Sequence, residues 1–302
     1  MAATALHRSS LEARDARTGL ALIAPAVLLF VVLIAYPLLA ALGLSFFKIY
    51  TPTLSGPFIG LDNYAVLLGS GEFWSALRVS FIYAGSTLAL QMVIGVAAAL
   101  MLHQDIFLRS LARALVLFPY LLSTVVAVLV WQWLFNDLYG MLNHLLMRTG
   151  LVAAPVDWLG SMPNALLSVI LVSTWKFFPF VVIAVLARLQ SVPVSLYEAA
   201  MIDGAGPWAR FWDVTLPQLR GVLMIVVLLR AIWDFKEFDL IFLLTGGGPV
   251  TSTQTVPILV YRQAFPLSQM GMAAAIALCM LAIMVVAMIA YMRRYGRAEQ
   301  AS

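Results

Sequence analysis

The chain has 302 residues, of which 63% are hydrophobic and only 11% are charged, with a net charge of +4 and a mean hydropathy of +0.97. Soluble domains carry about 25% charged residues, so this composition excludes a soluble globular protein and indicates helices of about 20 residues that span a bilayer. The pI of about 9.3 does not point to a nucleic-acid partner, because the arginines flank the apolar runs, where membrane topology places them.

Six apolar segments predict an all-α membrane protein with six spans. In chain order they cover residues 19–47, 79–102, 114–135, 164–187, 217–244 and 271–292. The first segment is longer than the apolar core of a signal peptide, about 7–15 residues, so we expect it to be retained as a helix. The predicted layout is a cytoplasmic tail over residues 1–17, a six-span domain over 18–292 and a second cytoplasmic tail over 293–302.

The placement of lysine and arginine predicts the orientation. The N-terminal tail, the loops after the second and fourth spans, and the C-terminal tail contain three, two, three and three arginines. The opposite side contains only Lys48, Arg78, Arg148 and Arg262. The positive-inside rule therefore places both termini in the cytoplasm, in agreement with an even number of spans.

The residue types do not indicate catalysis or metal binding. The three histidines are scattered singly, so no metal-ligand spacing occurs, and the single cysteine, Cys279, lies in an apolar run. None of the three lysines follows a glycine, so the Gly-Lys-[Ser/Thr] element of a P-loop is missing. We predict no enzymatic activity, no metal and no cofactor bound by this chain. If transport is driven by ATP, the ATPase is a separate polypeptide.

A polar segment over residues 190–217 separates the fourth and fifth spans. From Glu198 to Pro217 it reads EAAMIDGAGPWARFWDVTLP. Ser195 is placed to cap a short helix that two glycines end, and Pro207 suits the first turn of a second short helix over 208–214. From these residues alone, the segment either lies on the lipid surface or docks a cytoplasmic partner.

This segment resembles the EAA loop of binding-protein-dependent ABC importer permeases. The matching positions are Glu198, Ala199, Ala200, Asp203, Gly204, Ala205, Phe211, Leu216 and Pro217. FKEFDLIFLLTGGGP over 235–249 and YRQAF over 261–265 are similar to the MalF-like carbohydrate permeases of that family. The sequence shows the six-span core, whereas the larger maltose-type member carries extra N-terminal spans and a large periplasmic insertion.

The resemblance implies the type I ABC importer permease fold in the inner membrane of a prokaryote. The loop would be a coupling helix that seats in a cleft of the ATPase subunit, with Glu198 as the polar contact. The implied partners are a second homologous permease, a dimer of ATPase subunits that holds ATP and Mg²⁺, an extracytoplasmic sugar-binding protein and membrane lipid. The implied function is uptake of a mono-, di- or oligosaccharide delivered by that binding protein.

Ionisable residues in the fifth span predict a substrate site, because charges inside a membrane are costly and are functional by default. At 100° per residue, Arg230, Asp234 and Glu237 lie within about 60° of one another on one helical face. They either line a cavity that presents acceptors to sugar hydroxyls, or Arg230 and Asp234 pair only to neutralise each other. Lys236 and Asp239 are expected on other faces.

Four further residues are candidates for the same site. Trp233 and Phe238 would supply flat apolar surface for the C–H face of a sugar ring. Lys176 in the fourth span either faces a cavity, pairs with a fifth-span carboxylate or extends toward the interface. Gly247, in a Gly-Gly-Gly-Pro run, either lines a cavity or belongs to an external turn.

Other functions remain open from the residues. The same machinery could carry a polyol, a glycerol phosphate or a sulfonated sugar, in which case Arg230 and Lys176 would be anion partners. An ion-coupled secondary transporter would use the fifth-span carboxylates. A membrane enzyme such as a glycosyltransferase would need a catalytic domain, and no loop of this sequence is long enough to build one.

Overall fold

A computed structural model describes residues 18–51, 53 and 55–299 of the chain, and most of these residues are helical. In chain order the helices are α1 (Thr18–Leu44), α2 (Asp62–Gly69), α3 (Gly71–His103), α4 (Arg109–Leu121), α5 (Thr124–Leu134), α6 (Met141–Arg148), α7 (Asn164–Gln190), α8 (Val194–Ile202), α9 (Pro207–Phe235), α10 (Asp239–Thr245), α11 (Val256–Ala264) and α12 (Met270–Glu299). The predicted N-terminal tail, residues 1–17, lies outside the described residues.

Within the described part of the chain, five helices are long and apolar enough to cross a membrane: α1, α3, α7, α9 and α12. The bent pair α4 and α5 brings the number to six if it counts as one span. The first, second, fourth and sixth predicted spans each fall on one helix. α3 and α12, the helices of the second and sixth predicted spans, extend beyond the predicted limits, because charged residues near their ends do not interrupt the helical backbone.

The third predicted span, 114–135, is not one continuous helix. α4 and α5 meet at an angle of 98° across Leu122 and Ser123. Leu122 has an extended backbone, with φ −67° and ψ 143°, and Pro119 weakens the last turn of α4 by removing an N–H donor. The apolar composition continues through the bend, so hydropathy alone does not detect it.

The fifth predicted span, 217–244, begins earlier and is divided. α9 already starts at Pro207, so the separate short helix expected over 208–214 is its first part. Pro217 therefore lies inside a continuous helix and does not open it. A π-helical turn over Phe211–Thr215 precedes the proline and accommodates the hydrogen bond that proline cannot donate. α9 ends at Phe235, and α10 begins only at Asp239.

One compact unit, formed by residues 68–262 and 279–299, is organised around α3 and α7. Two buried apolar clusters lie along this helix pair; the first includes Tyr83 and Leu240, and the second includes Ala99 and Val181. A Cβ atom at Gly95 would collide with the Val181 side chain, so glycine allows a close approach of the two helices. Small residues serve this purpose in membrane bundles generally.

The other compact unit contains the described residues up to 67 together with 263–278. Its turn after α1 is held by Asn63, whose amide donates to the carbonyl oxygens of Ser45 at 2.7 Å and Phe47 at 3.1 Å. The amide of Thr51 donates to the carbonyl of Ser268 at 2.9 Å. These bonds fix the path of the chain directly after α1.

Candidate functional site

A cleft of about 410 Å³ opens where α9 ends and α10 begins, and we call it the α9–α10 cleft. Its lining residues are Tyr120, Phe177, Arg230, Trp233, Lys236, Glu237, Phe238 and Asp239. The structure thus brings together four of the predicted substrate residues, Arg230, Trp233, Glu237 and Phe238.

The lining also contains residues that the sequence does not place there. Lys236 and Asp239 reach the cleft because the helix breaks at Lys236, so the 100° spacing that assigned them to other faces no longer applies. Tyr120 comes from α4 and Phe177 from α7, and no sequence pattern connects either one with the fifth span. The sequence does contain one signal that could have located the cleft: residues 236, 237 and 239 are all ionisable within an otherwise apolar segment.

A buried polar cluster of Gln91, Arg230 and Asp234 adjoins the cleft. Arg230 forms an ion pair with Asp234, and its Nε donates to Gln91 Oε1 at 2.8 Å. Gln91 Nε2 donates to Asp234 Oδ1 at 3.4 Å. The three side chains are 0%, 3% and 1% exposed, respectively. The pairing expected as an alternative for Arg230 and Asp234 is therefore present, and Asp234 belongs to this cluster and not to the cleft lining.

Arg230 belongs to both the cluster and the cleft. Its guanidinium carbon lies 4.7 Å from the ring centroid of Phe177 and 5.7 Å from that of Trp233. Cation–π contacts of this kind hold a guanidinium against an aromatic wall. Asp234 Oδ2 has no hydrogen-bond partner among the residues that the structure describes. The cluster therefore retains an acceptor beside the cleft.

Lys176 lies at the bend between α4 and α5 and outside the cleft lining. Its side chain is buried, and Nζ donates to the carbonyl oxygen of Leu122 at 2.7 Å. A bend interrupts the helical ladder and leaves carbonyl groups without intrahelical partners, and a cationic donor forms a strong hydrogen bond with such a group. In the structure Lys176 thus binds a backbone carbonyl. The sequence instead predicts that it faces a cavity, pairs with a fifth-span carboxylate or extends toward the interface.

Gly247 also lies outside the cleft, in the turn that follows α10. Gly246 and Gly247 have φ values of +62° and +91°, in the left-handed region that favours glycine. A Cβ atom on Gly247 would lie 2.9 Å from Ile258 Cγ2, so this turn is packed within the protein.

Glu237 shapes the break between α9 and α10. Its Oε1 accepts a hydrogen bond from the backbone amide of Leu240 at 3.1 Å, and this bond satisfies one of the free donors in the first turn of α10. A carboxylate at a helix N-terminus is also favoured by the helix dipole. Glu237 therefore lines the cleft and caps the helix that begins there.

The segment 190–217 folds as α8, a glycine corner and the first part of α9. Gly204 has φ +80°, the amide of Ala205 donates to the carbonyl of Ala200 at 2.9 Å, and the amide of Gly204 donates to that of Met201 at 3.1 Å. This is a Schellman arrangement, which glycine suits. The N-cap residue of α8 is Pro193, so the expected cap at Ser195 is not formed.

Side-chain hydrogen bonds tie this corner to two spans. The hydroxyls of Tyr197 on α8 and Thr215 on α9 lie 3.1 Å apart. Arg188 at the end of α7 donates through Nε to the carbonyl of Gln218 at 2.9 Å and through Nη2 to its side-chain oxygen at 2.8 Å. These bonds join α8 to α9, and α9 to α7, on either side of the corner.

The outer surface of the corner is both charged and apolar. Among the predicted coupling residues, the exposed ones are Glu198, Ala199, Asp203, Gly204 and Pro217, and the half-buried ones are Ala200, Ala205 and Phe211. Beside them Ile202 is 86% exposed and Trp208 is 73% exposed. Exposed apolar patches with a polar rim mark interaction sites for proteins or membranes.

A bundle of apolar spans, a charged cleft at a helix break and an exposed corner at one end of the same helix define a helical membrane transport subunit. Residues 91–293 match the family of the binding-protein-dependent transport system inner membrane component. The chain belongs to this family. It is therefore a permease subunit of an ABC importer in the inner membrane and not an enzyme, as the sequence predicts. This family membership excludes the two alternatives of an ion-coupled transporter and a membrane enzyme.

Two curated relatives match almost the whole chain. The trehalose/maltose transport system permease protein MalF of Thermococcus litoralis is 33% identical over 285 residues, which cover 94% of this chain and 96% of that protein. The sulfoquinovosyl glycerol transport system permease protein SmoG of Agrobacterium fabrum is 31% identical over 284 residues, which cover 94% and 92% of the two chains.

A solved structure has the same fold. A chain in the crystal structure of a bacterial ABC transporter involved in the import of the acidic polysaccharide alginate aligns with a TM-score of 0.84 at 22% identity. The alignment covers 96% of this chain and 99% of that chain. The expected ABC importer permease fold is confirmed.

Proposed function

We propose that this chain forms half of a membrane pathway for a sugar, and that the α9–α10 cleft is the surface that contacts the sugar. The observation that carries this proposal is the mixed lining of the cleft. It contains the aromatic side chains Tyr120, Phe177, Trp233 and Phe238 and the charged side chains Arg230, Lys236, Glu237 and Asp239.

This lining matches the two requirements of sugar recognition. A sugar ring offers a C–H face, which packs on aromatic rings, and a rim of hydroxyls, which requires closely spaced donors and acceptors. Two acidic and two basic residues supply both kinds of hydrogen-bonding group without a large net charge. The relative from Thermococcus litoralis is named for trehalose and maltose, which agrees with a neutral sugar.

A sulfonated or phosphorylated sugar is the second candidate. Lys236 is exposed in the cleft and Arg230 lines it, so two cations are placed to receive an anionic group. The relative from Agrobacterium fabrum, named for sulfoquinovosyl glycerol, favours this candidate.

The proposed partners follow from two needs of this chain: its charged cleft must be shielded from lipid, and transport must be driven by ATP. Charged groups at membrane depth require protein around them, and a second homologous permease would close the open side of the cleft. The corner at α8 is the docking surface for one subunit of an ATPase dimer that holds ATP and Mg²⁺, with Glu198 as its polar contact. That assignment places the corner and both termini in the cytoplasm and the sugar-binding protein on the other side, in agreement with the arginine distribution.

Purification of the tagged chain from its native membrane in mild detergent tests the assembly. We expect a P-loop ATPase, a second six-span permease and a solute-binding protein to co-purify. Recovery of the chain alone, or only as a homo-oligomer, would contradict the proposed partners. The recovered binding protein is then screened against neutral and sulfonated sugars, and that screen decides between the two solute classes.

A further inference from the structure

Two apolar hollows lie next to each other along α9 and α12, and we call them together the groove. The first, of about 260 Å³, lies among α3, α9 and α12, and the second, of about 450 Å³, lies between α9 and α12. Val227 and Tyr291 line both hollows, so the two are adjacent. Leu228 and Ile232, on the α9 wall, are rotated from Arg230 by about 160° and 200° at 100° per residue.

The walls of the groove are apolar, and small residues give it depth. Ala84 and Gly85 of α3 face Ala231 of α9 and Ala287 of α12 across the first hollow. The Tyr291 hydroxyl donates to the carbonyl of Met224 at 2.8 Å, which fastens α12 to α9 where the two hollows meet. This bond holds the α9 and α12 walls together between the two hollows.

The faces of α9 differ in whether protein or lipid can lie against them. The face that carries Arg230 and Asp234 must lie against protein, because lipid-exposed charges at membrane depth are costly. Among the described residues, none that lines the first hollow is charged, and hydrocarbon chains match it chemically. Lipid is therefore the expected neighbour of the groove.

Cations mark one end of the groove, the end nearest the α8 corner. Arg220 is exposed and lines the second hollow together with Trp212. Arg294 is exposed and follows Tyr291 by three residues, which places the two on one face of α12. Basic pockets between spans bind anionic lipid headgroups, and tryptophan is enriched at the same depth.

We propose that this groove binds one anionic phospholipid from the leaflet beside the α8 corner. An acyl chain lies between α3, α9 and α12, and the phosphate contacts Arg220 and Arg294. This site is independent of which solute the α9–α10 cleft accepts. Its lipid would contact the two helices that the Tyr291 hydrogen bond joins.

Native mass spectrometry of the full chain in detergent, titrated with phosphatidylglycerol or phosphatidylcholine, tests the proposal. Phosphatidylglycerol is expected to bind more tightly. A basic residue near a headgroup contributes about 1 kcal/mol, so Arg220→Gln should weaken phosphatidylglycerol about fivefold and leave phosphatidylcholine unchanged. Gly85→Leu should weaken binding of both lipids, because its side chain fills the groove; apart from its chain neighbours and the adjacent backbone of α3, no described atom lies within 4 Å of a Cβ built there.

Matched controls separate the groove from general effects. Arg148→Gln removes an exposed arginine of α6, and Gly43→Leu fills another helical position with open space around it; neither should change lipid binding. Equal binding of the two lipids by the wild type, or unchanged binding in Arg220→Gln or Gly85→Leu, would overturn the proposal. Loss of a co-purifying permease in Gly85→Leu with lipid binding intact would assign the groove to a subunit interface instead. If Gly85→Leu fails to fold, Ala231→Leu fills the same hollow from α9.

Discussion

Two helix breaks in the unit around α3 and α7 are held in different ways. Between α4 and α5 the chain turns through 98°, and the Leu122 carbonyl is bound by the buried ammonium group of Lys176 from a different helix. Between α9 and α10 the new helix is capped by Glu237, only three residues before the amide it binds. The first break depends on tertiary structure, and the second is built from adjacent residues.

This difference separates a structural break from one that is available for function. Opening the break between α4 and α5 would leave the buried ammonium group of Lys176 without its hydrogen-bond partner, which is energetically costly. The second can rearrange locally, and its charged side chains already face the α9–α10 cleft. The following substitutions test that distinction, in order of the expected change in stability.

Arg230→Met should have the largest effect, because it removes the cation of the buried cluster that lies beside the second break. Asp234 would remain buried without its partner, and breaking a buried ion pair in this way costs about 3–5 kcal/mol. Thermal unfolding of the purified chain in detergent measures the loss. The double variant Arg230→Met/Asp234→Leu should recover most of it, whereas equal instability of the single and double variants would show that the pair does not hold this region. Arg148→Met is the matched control.

Lys176→Met should loosen the first break and leave the second unchanged. The Leu122 carbonyl loses its donor, and an unsatisfied buried acceptor costs about 1–3 kcal/mol. Hydrogen exchange should increase in residues 119–126 and stay constant in α10. Lys48→Met, at an exposed lysine, serves as the control. Hydrogen exchange in residues 119–126 that is the same in Lys176→Met as in the wild type would mean that the lysine does not fasten the bend.

Glu237 allows the cap and the contact with solute to be separated. Glu237→Gln keeps an acceptor for the Leu240 amide, so stability should change by less than about 0.5 kcal/mol, whereas Glu237→Ala loses the cap and about 1 kcal/mol. Both variants should alter the solute-stimulated ATPase activity of the assembled complex, because both remove the carboxylate from the cleft. An unchanged response to every solute in both variants would remove Glu237 from the site.

Glu198→Ala should change stability least, by less than about 0.5 kcal/mol, because the side chain is exposed. Its effect should appear in function: uptake falls and the ATPase subunit dissociates more readily, while insertion into the membrane is normal. Asp105→Ala removes another exposed carboxylate and should leave coupling intact. Normal uptake by Glu198→Ala would contradict the contact assigned to this residue.

The same contrast explains what the sequence could predict. Spans such as α7 follow from local hydropathy, and the end of α8 at Gly204 follows from the conformational freedom of one residue. The bend at Leu122 could not be predicted, because the donor that stabilises it lies 54 residues away. The membership of Tyr120 and Phe177 in the cleft depends on the packing of three helices and has no local signature.

The uninterrupted course of α9 has a mechanical consequence. The helix has 29 residues and is about 43 Å long at 1.5 Å per residue. Hydrogen bonds join it to α7 at Gln218, to α12 at Met224 and to α3 at Arg230. The corner and the cleft are therefore the two ends of one cross-linked helix. A displacement at Pro207 has no loop in which to dissipate before it reaches Phe235.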